Sequence, residues 1–158
     1  MPKVTIQDVT DAGFKAAQSG TPADFLTPST GYLARVIDEA AVWVADRVGA
    51  DAYAAALAGT AQFQRLKRAE LCWVKAELWS RRAAFLDANA FTALEGNPSA
   101  AAERRSYLEH AVTAQECALN NVDLFLTGGD AAAPGSGATI GHVESGPYRT
   151  AIDPWLAR

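Results

Sequence analysis

Apolar residues recur at helical spacing along most of this chain. Between Tyr32 and Val48, Leu33, Val36, Ile37, Ala40, Val44 and Val48 share one face, while Arg35, Asp38, Glu39, Asp46 and Arg47 lie largely on the others. This predicts an amphipathic helix that Gly49 ends. Upstream, Thr5 to Ser19 predicts a short first helix with Val9, Ala12 and Ala16 on one face. Gly13 weakens it, since glycine disfavours helix interiors, and Gly20-Thr21-Pro22 breaks it. Ser29 or Thr30 is placed to cap the helix that follows. Asp51 is placed to cap an alanine-rich segment running through Leu57, with Gly59 as its stop.

The pattern then lengthens. Ala61 to Ala90 predicts a central helix with three apolar strips: Leu71, Val74, Leu78 and Phe85; Leu66, Ala69, Trp73 and Ala76; and Cys72 with Trp79. A helix that is apolar on several sides is packed on several sides, by its own bundle or by neighbouring subunits. Gly96-Asn97-Pro98 marks a turn, and Ser99 caps a last helix reaching about Leu126. Its expected inner stripe is Leu108, Ala111, Val112, Gln115, Leu119, Val122 and Leu126. The two long segments predict an antiparallel hairpin with the shorter helices packed on it. The fold expected is therefore all-α, a small helical bundle built on two long antiparallel helices, with an extended C-terminal arm.

The arm is the second unit: residues 1–127 form the body and residues 128–158 the arm. Gly128 to Gly146 is rich in glycine and alanine and reads as a tether. Tyr148, Arg149, Ile152, Trp155 and Leu156 give its end large side chains suited to a partner surface. An end that folds back on its own body is the plainer alternative. Ala138-Thr139-Ile140 and His142-Val143 are the only β-like stretches in this tail.

Composition narrows the picture. The chain has 158 residues, one domain by size, with 49% hydrophobic residues, many of them alanine. Alanine buries little area, so four Trp, six Phe and four Tyr must supply much of the burial. A net charge of -4 argues against a dedicated nucleic-acid binder. No stretch reads as a signal peptide or a membrane span, which predicts a soluble protein made in a cytoplasm. Cys72 and Cys117 read as small core residues suited to a reducing compartment, with a single disulfide left open.

Searches for chemistry find little. No glutamate has a histidine three residues on, so no di-iron pattern exists and no metal or cofactor is expected. There is no Gly-Lys pair for a P-loop and no Gly-x-Ser-x-Gly elbow. Gly135-Ser136-Gly137-Ala138-Thr139-Ile140-Gly141 has the wrong glycine spacing for a dinucleotide turn. His110 has Glu109 and Glu116 nearby, but a surface histidine is the commoner case. Arg65, Lys67 and Arg68 are the main basic cluster, a candidate contact for DNA or an acidic partner. As plain structure they are a solvated helix face interrupted by Glu70 and Glu77.

A small helical body, two long helices and an adhesive arm resemble the head-to-tail connector (adaptor) family of tailed bacteriophages. The resemblance is carried by Ala23-Asp24-Phe25-Leu26 before the Leu33–Val48 helix, by Tyr53 in the short helix, and by Leu66 to Trp79. These are patterns of size and polarity. The resemblance implies a non-enzymatic virion protein that forms a ring between the portal vertex and the tail. It would be made in the host bacterial cytoplasm. Its implied partners are the portal protein, neighbouring copies of itself and a tail or stopper protein. DNA would pass through without sequence-specific binding, and no membrane is involved. Residues 128–158 match the segment that engages the portal in this family, although their length and glycine content depart from shorter members.

Two other readings stand beside it. One is a DNA- or protein-binding accessory factor of phage packaging or regulation, using Arg65, Lys67 and Arg68. The other is a small helical enzyme acting through Glu70, Glu77 and His110, for which no paired motif exists.

Overall fold

A computed structural model describes residues 1–15, 26–27, 31–89 and 98–128. Helices take up 80% of these residues and no strand occurs among them. The elements are α1 (Ile6–Asp11), α2 (Tyr32–Val48), α3 (Ala50–Ala55), α4 (Ala61–Asn89) and α5 (Pro98–Leu126). The expected all-α bundle on two long antiparallel helices is what forms. The C-terminal arm lies outside the described residues.

Local chemistry sets the helix ends. Thr5 and Asp8 close a reciprocal capping box at α1: the Asp8 amide donates to the Thr5 hydroxyl at 3.2 Å and the Thr5 amide to the Asp8 carboxylate at 2.8 Å. The helix expected to reach Ser19 ends at Asp11, because Gly13 turns the chain with a φ of +95°. The cap of α2 is Gly31 rather than Ser29 or Thr30. Gly49, with φ +90°, both ends α2 and starts α3. Asp51 therefore sits in the first turn of α3 and does not cap it. Before α4, the Thr60 hydroxyl accepts the Phe63 amide at 3.1 Å.

α4 and α5 each have 29 residues, so each is about 44 Å long. They make the largest helix–helix contact of the fold. Their register repeats every seven residues. The Arg65 guanidinium donates to the Leu124 carbonyl at 3.1 Å. Cys72 is bonded to Cys117. The Trp79 ring lies 5.0 Å from the His110 ring. Each step of seven up α4 is matched by seven down α5, as in an antiparallel coiled coil. The positions buried between them follow the same rhythm: Ala69, Cys72, Ala76 and Ala83 on α4, and Tyr107, Ala111, Ala114, Ala118 and Asn121 on α5. Small side chains let the two backbones approach closely.

Two findings here correct the sequence reading. Cys72 and Cys117 are not separate thiols but a disulfide, because the register brings their Cα atoms within 5.8 Å. The inner stripe of α5 is also displaced by one residue, which turns the helix by about 100°. Ala111 and Val122 are buried as expected, but Leu108, Val112, Leu119 and Leu126 are exposed, as is Gln115. The disulfide at Cys117 and the packing of Tyr107 and His110 on Trp79 hold α5 in this rotation.

On its other sides α4 meets the remaining elements. Val74 and Leu78 join Val4, Val9, Phe14, Leu33, Val36, Ile37 and Ala40 in one core cluster. Leu66 and Ala69 join Val44, Val48, Tyr53 and Val122 in a second. Much of the several-sided apolarity of α4 is thus met inside the chain, by α5 on one side and by α1, α2 and the N-terminal segment on the other, while Phe85 is 44% exposed.

Candidate docking surface

The exposed side of α5 is built by subtraction. Its alanines occupy the seam with α4, so its larger aliphatic residues point elsewhere. Leu108 is 38% exposed, Val112 54%, Leu119 45% and Leu126 56%. Their spacing repeats the four-three rhythm of the seam, one residue further on, and gives a second apolar stripe about 27 Å long. Gln115 is its polar member. Such a stripe offers contact area to another surface and no chemistry.

A second apolar surface lies on α2 and α3. Met1, Pro2, Ala41, Val42, Ala45, Ala50 and Ala54 line an open groove of about 520 Å³, with Asp38 at its side. Val42 is 60% exposed there. Tyr53 also lines it, but its hydroxyl is engaged beneath.

That engagement is the most polar feature of the interior. Glu70 is completely buried. Its carboxylate accepts the Lys3 amide at 2.7 Å, the Val4 amide at 3.0 Å and the Tyr53 hydroxyl at 2.6 Å. The Lys3 ammonium lies 4.0 Å from the Tyr53 ring centre and donates to the Tyr53 carbonyl at 3.0 Å. Burial pushes the Glu70 carboxyl above its usual range, although the hydrogen bonds and Lys3 oppose this. The Tyr53 hydroxyl is pushed up in turn, by burial and by Glu70. The reading of Glu70 as part of a solvated face is therefore corrected. Glu70 stands one turn from both Leu66 and Val74, and that alignment was the sequence signal for its burial. The hydrogen bonds of Glu70 run to Lys3, Val4 and Tyr53, and none of them reaches Glu77 or His110. Glu77 faces Glu39, and burial and that like charge raise its carboxyl. His110 is exposed and packs against Trp79.

The basic cluster is also dispersed. Arg65 turns to the α5 C-terminus and bonds the Leu124 carbonyl. Lys67 turns to α1, where its ammonium pairs with Asp8 at 2.8 Å. Arg68 is exposed. The three do not share one face. A cation–aromatic ladder sits further along: Arg82 lies 4.5 Å from the Tyr107 ring and Arg81 3.8 Å from the Tyr32 ring. The Tyr107 hydroxyl donates to Glu103, and burial with that bond raises its pKa.

Tyr148, Arg149, Ile152, Trp155 and Leu156 lie outside the described residues. Among the described residues, no three His, Cys, Asp or Glu side chains gather as a metal site, and no helix is long and apolar enough to cross a membrane. No protein-family model matches the chain, and neither a curated protein nor a solved structure matches it.

Proposed function

We propose that this chain is a structural virion protein of the head-to-tail connector type. It forms a ring between the portal vertex and the tail, extends the DNA channel, and docks to the portal through residues 128–158. In this reading it catalyses no reaction. The observation that carries it is the exposed stripe from Leu108 to Leu126 on α5. A helical body that leaves about 27 Å of regularly spaced aliphatic side chains open is suited to completion by a neighbour. A ring also needs two different faces per subunit, and the α2–α3 groove shows that apolar surface is not confined to α5.

The accessory-factor reading depends on Arg65, Lys67 and Arg68 acting together. Two of these make contacts within the chain, so we place it second. The connector reading is tested by removing residues 128–158 and isolating particles. The expected result is particles that package DNA and fail to retain the connector. Truncated protein found on portals at wild-type occupancy would sink docking through this arm, and a full-length chain absent from the portal of intact particles would sink the connector reading itself.

A further inference from the structure

Charge on the α4–α5 hairpin follows the same seven-residue rhythm as its seam. On α4, Arg68, Lys75 and Arg82 succeed one another at that spacing, so they line one side of the helix. Arg68 is exposed, and Lys75 and Arg82 are half-buried. On α5, Glu109, Glu116 and Asp123 form a row with the same step, and all three are exposed. Each step is about 10.5 Å.

The rows are clean. Between Arg68 and Arg82 the acids of α4 stand elsewhere: Glu70 is buried under Lys3 and Val4, and Glu77 faces Glu39. From Ser106 to Leu126, α5 contains no lysine or arginine. Arg105, one turn before Glu109, bounds the acidic row.

The two rows cannot satisfy each other within one molecule. Glu109, Glu116 and Asp123 each come two residues after a seam position, namely Tyr107, Ala114 and Asn121. That places them about 200° around α5, facing away from α4. They run instead beside the exposed stripe of Leu108, Val112 and Leu119. Next to the basic row stand Leu71 and Trp79, both half-buried.

We propose that the outward face of α5, apolar stripe and acidic row together, docks on the α4 basic face of a second copy of this chain. Charge complementarity and the shared spacing select this occupant. Pairing of α5 with another α5 antiparallel would instead set carboxylate against carboxylate, which is unfavourable. The contact joins two different faces, so each added copy presents a fresh acceptor face. The inference rests on the connector reading only for closure of these contacts into a ring. The contact itself needs nothing but a second copy.

The test is sedimentation velocity on the full chain across a concentration series, at roughly 50 mM and roughly 500 mM salt. Self-association is expected at low salt and should weaken at high salt. Reversing the acidic row (Glu109→Lys, Glu116→Lys, Asp123→Lys) should weaken it more than about tenfold. Reversing Arg68→Glu with Lys75→Glu should do the same, with Arg82 left in place because it packs on Tyr107. Mixing the two reversed proteins should restore association, since each then supplies the face that the other needs. Helicity of each variant is checked by circular dichroism. Salt-independent association, reversed variants that associate like wild type, or a folded pair that fails to associate on mixing would each overturn the proposal. Failure of the truncation test on particles would leave this contact standing. A connector whose self-association ignores both reversals would remain a connector and end this inference.

Discussion

The Tyr53 hydroxyl donates to the Glu70 carboxylate at 2.6 Å, joining α3 to the middle of the bundle across 17 positions of sequence. The same carboxylate collects the amides of Lys3 and Val4. One buried acid thus fastens three separate parts of the chain: the N-terminal segment, the short helix and α4. The Tyr53 hydroxyl also lies 3.1 Å from the Met1 carbonyl, a second acceptor for its single proton.

Removing the acceptor should therefore be severe, while neutralising it should be mild. Glu70→Leu leaves two amides without partners, and we expect a loss of about 3 kcal/mol or more in urea denaturation. Glu70→Gln can keep an oxygen toward the amides and offer its amino group to Tyr53, whose hydroxyl then donates to Met1. Its pH dependence carries the sharper test. The folded carboxyl holds its proton more tightly than the unfolded one, because burial raises its pKa. Wild-type stability from this group is therefore greatest in acid and declines as pH rises through the folded value. The difference between wild type and Glu70→Gln should move in favour of Gln as pH rises from the unfolded value through the folded one. A constant difference, or one of opposite slope, would show that Glu70 does not titrate in this way.

The disulfide closes a loop with a sequence separation of 45. Chain-entropy arguments give about 4 kcal/mol for a loop of this length, with about 2–4 kcal/mol typical in practice. The variant Cys72→Ala with Cys117→Ala should lose stability in that range while keeping its helicity. Thiol titration of oxidised, denatured wild type should find no free thiol. Two free thiols per chain in that assay would refute the pairing.

What was legible in the sequence was the list of helices; what was not was their rotation. Tyr32 to Val48 emerged with its ends and its buried face intact, because aliphatic and charged residues alternate on it without ambiguity. On α5, the residues from Tyr107 to Leu126 hold two apolar arcs one residue apart. One is mostly alanine and the other mostly leucine and valine. Burial preference points to the larger side chains, but the hairpin buries the smaller ones, since alanine allows close approach. Only the partner helix decides this, through Trp79 against His110 and Cys72 against Cys117. Glu70 was misread for a related reason. Its alignment with Leu66 and Val74 was visible on α4, but the partners that satisfy it there lie 17 positions away in α3 and more than 60 away near the N-terminus. The basic cluster looked like a patch because Arg65, Lys67 and Arg68 are close in sequence. On a helix such neighbours point in different directions.

At the first helix, Asp8 serves both the Thr5 cap and the Lys67 ammonium. Partial burial acts to raise its carboxyl, but Lys67 and Thr5 outweigh this and leave it below the usual value of 3.8. A depressed folded pKa gives stability that is present above the unfolded value and is lost as pH falls through the folded one. Asp8→Asn should cost about 1 kcal/mol at neutral pH, from the cap and a partly exposed ion pair. That cost should shrink as pH falls below the unfolded value. A cost that stays constant down to acid unfolding would mean that the carboxylate charge contributes nothing.

The rotation of α5 makes opposite predictions for neighbouring residues. Ala118 is 1% exposed in the seam, and Leu119 beside it is 45% exposed. Ala118→Leu would force a large side chain between two closely packed helices, at a cost of about 1–3 kcal/mol or more. Leu119→Ala removes a side chain outside the seam and should change monomer stability by about 0.5 kcal/mol. Were the inner stripe the one containing Leu108, Val112 and Leu119, the order would reverse, and Leu119→Ala would cost about 2–5 kcal/mol as a buried truncation. Denaturant titration of both variants at a concentration where the chain is monomeric, judged by sedimentation, separates the two rotations. The same Leu119→Ala protein should then associate more weakly than wild type at high concentration, because its missing side chain belongs to the outward face. A variant of normal monomer stability with undiminished self-association would place that interface somewhere other than the α5 stripe.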